Sequence, residues 1–260
     1  MKIGRKKGFA KKIIIVAVAV LLVMPLGGCY FSGSPFPFGS STTRGNGEMI
    51  DGSFSHDGAI TSLVVSRIGA IVNINPEHSG ELRYTIDENL EEYLEISYQN
   101  GILRIATRGN RSITSTTGIT FDVGADALQE IIVEEGAANI QGRGTLVADA
   151  FALEINEGAA SVELALDVRR LTVELTGAAE VTLSGSADEL RINATGAVDV
   201  NTRNLIAQDA TVSLEGLGSI GVYAAVTLNA SIEGMGSITY WGDPELTSSA
   251  TGLASIRRGS

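Results

Sequence analysis

The chain has 260 residues, 30 acidic against 19 basic, with two histidines, one cysteine and 5% aromatic residues. A lone cysteine excludes an intrachain disulfide framework. All five lysines and Arg5 fall within residues 1–28, so the remainder keeps 13 arginines against 30 acids, a formal charge of −17. That balance repels nucleic acid and anionic head groups, so nucleic-acid binding is not expected and membrane attachment would rest on a lipid rather than on surface charge.

Residues 1–12 carry Lys2, Arg5, Lys6, Lys7, Lys11 and Lys12 with no acid, and residues 13–24 form an unbroken apolar run. This is the order of a signal peptide, and the run is shorter than the roughly 20 residues a membrane-spanning helix needs. Leu26-Gly27-Gly28-Cys29 follows and resembles the lipobox of bacterial lipoproteins, which implies cleavage before Cys29 and lipidation of that residue. The expected organisation is therefore a signal peptide at 1–28, a flexible tether at 29–50 and one folded body at 51–260. The tether is assigned from its Ser, Gly, Thr and Pro content, as in SGSPFPFGSSTTRGNG.

From Ile60 onward, short runs alternate apolar and polar residues between Gly, Asn or Pro: Leu63-Val64-Val65, Ile71 to Ile74, Leu82 to Ile86, Leu94 to Ile96 and Leu103 to Ile105. They predict strands, with room for one helical turn at residues 88–93, and residues 110–118 form a polar break. Beyond the break a five-residue phrase returns seven times, as GAANI, GAASV, GAAEV, GAVDV, GLGSI, GMGSI and GLASI, headed by Gly136, Gly158, Gly177, Gly196, Gly216, Gly234 and Gly252. The spacings are 22, 19, 19, 20, 18 and 18 residues, a period that signals stacked repeats.

Each column of the repeat has a chemical character. Four residues after the glycine stands Ile140, Val162, Val181, Val200, Ile220, Ile238 or Ile256, always aliphatic. The next position is mostly polar, and the one beyond it is mostly apolar until Arg258, so alternation buries the first and third columns. With about 20 residues per turn and no helical stripe, the predicted fold is all-β: a single-domain parallel β-helix of 18–22 residues per rung, capped by irregular N-terminal strands. Glycine at each head is expected at a corner. Arg257 and Arg258 are expected to discourage end-to-end stacking at the far end.

The segments Gly216-Leu-Gly-Ser-Ile, Gly234-Met-Gly-Ser-Ile-Thr-Tyr-Trp-Gly-Asp-Pro and Gly252-Leu-Ala-Ser-Ile-Arg-Arg resemble the putative auto-transporter adhesin head, or GIN domain, family, over about residues 60–258. The resemblance implies an exported β-helical body, and its motifs are structural rather than catalytic. GAAEV and GAVDV depart from its GxGSI pattern.

The candidate ligand-binding strip is Arg203, Tyr223 and Trp241, each seven residues after a repeat glycine and so expected as outward neighbours able to stack on a sugar ring or a partner's side chains. A surface ladder in which each ring shields the next is the competing reading. Before the glycines stand Glu135, Glu157, Thr176, Thr195, Glu215, Glu233 and Thr251. These read as a solvated acidic face rather than a Ca²⁺ site, because the Ca²⁺-binding nonapeptide pattern is missing. The histidines, His56 and His78, stand outside the repeats, and Asp188, Glu189 and Arg191 are the nearest approach to a polysaccharide-cleaving cluster. No catalytic residue, metal or cofactor is assigned. The expected protein is a lipid-anchored adhesion or protein-interaction module of the cell envelope, outside the cytoplasm, held to a membrane by its lipid and meeting a glycan or an envelope protein. A ligand-free structural envelope module is the alternative, and a polysaccharide-active enzyme comes third.

Overall fold

The computed structural model describes residues 42–78, 80–109 and 111–260. Cys29 and the apolar leader lie outside this range. In chain order the strands are β1 (Thr42–Arg44), β2 (Met49–Ser55), β3 (Ser62–Ser66), β4 (Gly69–Asn75), β5 (Glu81–Asp87), β6 (Leu94–Gln99), β7 (Ile102–Thr107), β8 (Ser112–Thr114), β9 (Ile119–Gly124), β10 (Glu130–Glu134), β11 (Ala137–Trp241) and β12 (Glu245–Arg258). A 3₁₀ helix, Glu88–Tyr93, follows β5 where the sequence left room for a helical turn. β1 falls in the stretch read as tether and pairs in parallel with β8, which falls in the polar break.

The other ten strands form one sheet, and its topology corrects the expected parallel β-helix. β2 pairs antiparallel with β5, β5 with β9, and β6 with β7, so the sheet is mixed; it curls into a nearly closed barrel rather than an all-parallel solenoid. Part of the reason is local. Asn100 and Gly101 both take positive φ, 51° and 84°, the backbone of a two-residue hairpin turn, and they fold β7 back along β6. β5 likewise returns along the sheet to lie between β2 and β9 instead of adding another parallel turn.

Parallel pairing persists where the repeats are. β11 joins β10 and β4 in parallel, and β12 runs parallel to β11 with Gly234 beside Gly252 and Ile238 beside Ile256. Within β11 successive repeat glycines approach backbone to backbone: a Cβ on Gly177 would sit 2.7 Å from the Gly158 carbonyl oxygen, and one on Gly196 would sit 2.2 Å from that of Gly177. No other residue fits, and from Gly177 onward these glycines also hold φ near 128° or, at Gly252, 94°.

The aliphatic column is the core, as its period requires. Ile140, Val162, Val181, Val200, Ile220 and Ile238 are all buried, while Ile256 in the last turn is only half-buried. Two residues on, Leu164, Leu183 and Val222 are buried, and Thr202 joins them because its hydroxyl donates to the Gly221 carbonyl at 2.9 Å.

In the entry strands one side chain does comparable work. Asp87, at the end of β5, is fully buried. The Gly47 N–H and the Thr116 hydroxyl each donate to its Oδ1 at 2.8 Å, while the Ser115 hydroxyl at 2.5 Å and the Thr116 N–H at 3.2 Å donate to Oδ2. Burial pushes this carboxyl up, but the four donors outweigh it and hold it at about 2. The carboxylate thereby ties the approach to β2 and the loop before β9 to the end of β5.

Candidate functional site

Outward positions of the last turns carry the predicted strip, and the structure joins two of its members directly. The Arg203 guanidinium lies 4.6 Å from the centroid of the Trp241 ring, a cation–π pair. Arg203 stands two turns before Trp241, and the contact is possible because Gly221 on the intervening turn has no side chain: a Cβ there would meet the indole at 3.2 Å. Tyr223 is half-buried beside them, its ring edge 3.5 Å from where a Cβ on Gly242 would be. Arg258 caps the end of the strip, donating to the Gly242 carbonyl at 2.7 Å and pairing with Asp243 at 3.3 Å.

Trp241 is thus enclosed more than a surface ladder suggests. Gly259 lies so close over the indole that a Cβ would overlap it, and the ring nitrogen is buried without a hydrogen-bond partner. One ring face is engaged by Arg203, so an incoming ring would have to share or displace that guanidinium. No acid among the described residues is paired with Arg203 by an ion pair, which leaves the guanidinium's donors for an anionic group.

A second feature went unread in the sequence. Arg67, Glu135 and Glu157 occupy one corner on adjacent strands, all with left-handed backbone at φ 56°, 43° and 54°. With Arg104, Glu134 and Asn156 they line a groove of about 580 Å³, in which Arg104 donates to Glu134 at 2.8 Å. Glu135 and Glu157, two members of the acidic column, therefore face arginines as well as each other. Nothing in the spacing announced this, because Arg67 belongs to the entry strands. Another hollow, of about 390 Å³, contains His78, Arg83 and Arg143, with Asp122 shared between Asn73 at 2.9 Å and Arg143 at 3.3 Å. His56 stacks on Tyr98 at 4.4 Å, away from both. Asp188 lies outside the shallow hollow that holds Glu189 and Arg191. Among the described residues no group of three or more His, Cys, Asp or Glu could hold a metal, and no helix is long and apolar enough to cross a membrane.

These features define an all-β class: a mixed, nearly closed β body with stacked repeat turns. The chain belongs to the putative auto-transporter adhesin, head GIN domain, family, whose model matches residues 64–244. Solved structures share the fold. A putative adhesin from Bacteroides fragilis is 18% identical over 83% of this chain and 99% of its own, with a TM-score of 0.74. A putative lipid binding protein from Parabacteroides distasonis is 21% identical over 85% and 100%, with a TM-score of 0.63, and a putative adhesin from Parabacteroides merdae is 19% identical over 84% and 99%, with a TM-score of 0.60. No curated protein matches the chain. The family and two of these structures are described as adhesins rather than enzymes.

Proposed function

We propose that this protein is an exported, lipid-anchored adhesin-like module of the cell envelope that meets its partner through Arg203, Tyr223 and Trp241. Family membership supports a surface role, and the Leu26-Gly27-Gly28-Cys29 sequence supports lipid attachment at Cys29. The observation that carries the binding reading is the Arg203 guanidinium held over the Trp241 ring at 4.6 Å. This arrangement suits a ligand with both an anionic group and a flat or apolar face, such as an acidic sugar: the anion engages the guanidinium while the ring packs on Tyr223.

A glycan array spanning neutral and acidic oligosaccharides tests the reading. Retention of acidic glycans is expected, lost in Trp241→Ala and in Arg203→Ala; retention that survives both substitutions rules out the strip. Anchoring is tested separately by metabolic labelling with a fatty acid, where Cys29→Ala should abolish incorporation. A purely structural envelope module is the second reading, favoured by the enclosure of Trp241 under Gly259. It predicts an empty array together with loss of envelope integrity on deletion of the gene.

A further inference from the structure

β12 is paired on one side only. Its 14 residues run parallel to β11, and among the described residues no strand lies along its other side. Residues 246–256 read LTSSATGLASI, without a charge or a proline, and Leu253 is 80% exposed. The strands at the two ends of the sheet's path are guarded differently: β2 has seven residues including Asp51, and β6 has six including Glu95. Short length and charge are how proteins keep strand edges from pairing, and β12 has neither over its middle. Beside that edge, aliphatic side chains accumulate in the stacked positions after the repeat glycines, where Leu217 is 49%, Met235 52% and Leu253 80% exposed.

The ends of β12 supply the missing selectivity. Glu245 opens it and Arg257 and Arg258 close it, so the strand is complementary in charge to its own reverse; Arg258 already donates to the Gly242 carbonyl and pairs with Asp243, and Glu245 of a second copy would share its remaining donors. Laid antiparallel on a second copy about a two-fold axis at Thr251-Gly252, Glu245 faces Arg258 in both halves, Thr247 faces Ile256, and Ala250 faces Leu253. Gly252 bends the strand there, at φ 94°. An axis bisecting that bend places each arm of one copy over the other arm of its mate, direction reversed. A second copy in parallel would instead set Arg257 and Arg258 near their own equivalents.

We propose that β12 is a homodimer interface, joining two copies edge to edge by antiparallel pairing with Glu245–Arg258 contacts at both ends. The molar mass of the full chain in detergent micelles, measured by light scattering across a concentration series with the detergent subtracted, tests it. Twice the chain mass is expected at high concentration, and Leu253→Lys should weaken association by about tenfold or more without touching the core. Glu245→Arg and Arg258→Glu should each weaken it, and the two combined should restore it, with far-UV circular dichroism confirming that every variant is folded. A monomer at all concentrations overturns the proposal. So does a dimer that neither Leu253→Lys nor the charge reversals weaken, since association would then run through another part of the chain.

Discussion

Residues 42–134 hold their fold through particular side chains, whereas residues 137–258 hold theirs through the closeness of one backbone turn to the next. In the first region Asp87 gathers four donors from two loops, and Asn100-Gly101 reverses the chain. In the second, repeat glycines touch the preceding turn, and the polar outer face adds exposed bonds such as Ser186 to Asp167 at 2.6 Å and Thr227 to Asp209 at 2.6 Å. The corners change along the chain too, one turn into the repeats. Arg67, Glu135 and Glu157 carry the left-handed residue one place before the later glycine position, and from Gly177 on the glycine carries it. Irregular topology thus depends on a few replaceable polar contacts, while the repeats depend on the absence of a side chain.

The sharpest break in this contrast is Gly196→Ala, whose methyl would overlap the Gly177 carbonyl while the backbone stays at φ 128°; a loss of about 3 kcal/mol is expected in urea unfolding. Asp87→Asn comes next, at about 2 kcal/mol at neutral pH, because it halves the acceptor capacity facing four donors. Its pH dependence separates it from a packing defect. A carboxyl lowered from 3.8 to about 2 on folding contributes stability that is complete above pH 4 and lost as pH falls toward 2, so the gap between wild type and Asp87→Asn should narrow over that interval. Arg203→Ala should cost about 0.5–1 kcal/mol, the worth of an exposed cation–π pair, and a double-mutant cycle with Trp241→Leu, which removes the aromatic face, should recover most of it as coupling. Smallest is Glu157→Gly. Relief of the left-handed backbone more than offsets the flexibility gained by the unfolded chain, so the unfolding free energy in urea should change by less than about 1 kcal/mol, in the direction opposite to Gly196→Ala.

Strand content, the seven glycine heads and the buried aliphatic column were legible because they repeat, and repetition makes alternation visible. The antiparallel returns were only partly so. Asn100-Gly101 between two alternating runs is a strong hairpin signal, and reading it as such would have revealed the mixed sheet. The placement of β5 between β2 and β9 depends on pairings such as Phe54 with Leu82 and Tyr84 with Phe121, which no local pattern encodes. The polarity of Ser115 and Thr116 looked like loop composition until Asp87 appeared as the reason for it. The strip was legible as a column, yet the contact of Arg203 with Trp241 across a whole turn depends on the missing side chain of Gly221.

Trp241 is the chain's single tryptophan, so the enclosure of its indole gives the molecule an optical label at a known place. Gly259 and Arg203 shield the ring, and loosening of β12 from β11 would hydrate it and redden its emission while the body keeps its circular dichroism. Ultraviolet fluorescence during gentle denaturation would therefore time the fraying of the last turn separately from collapse of the entry strands, with no dye attached.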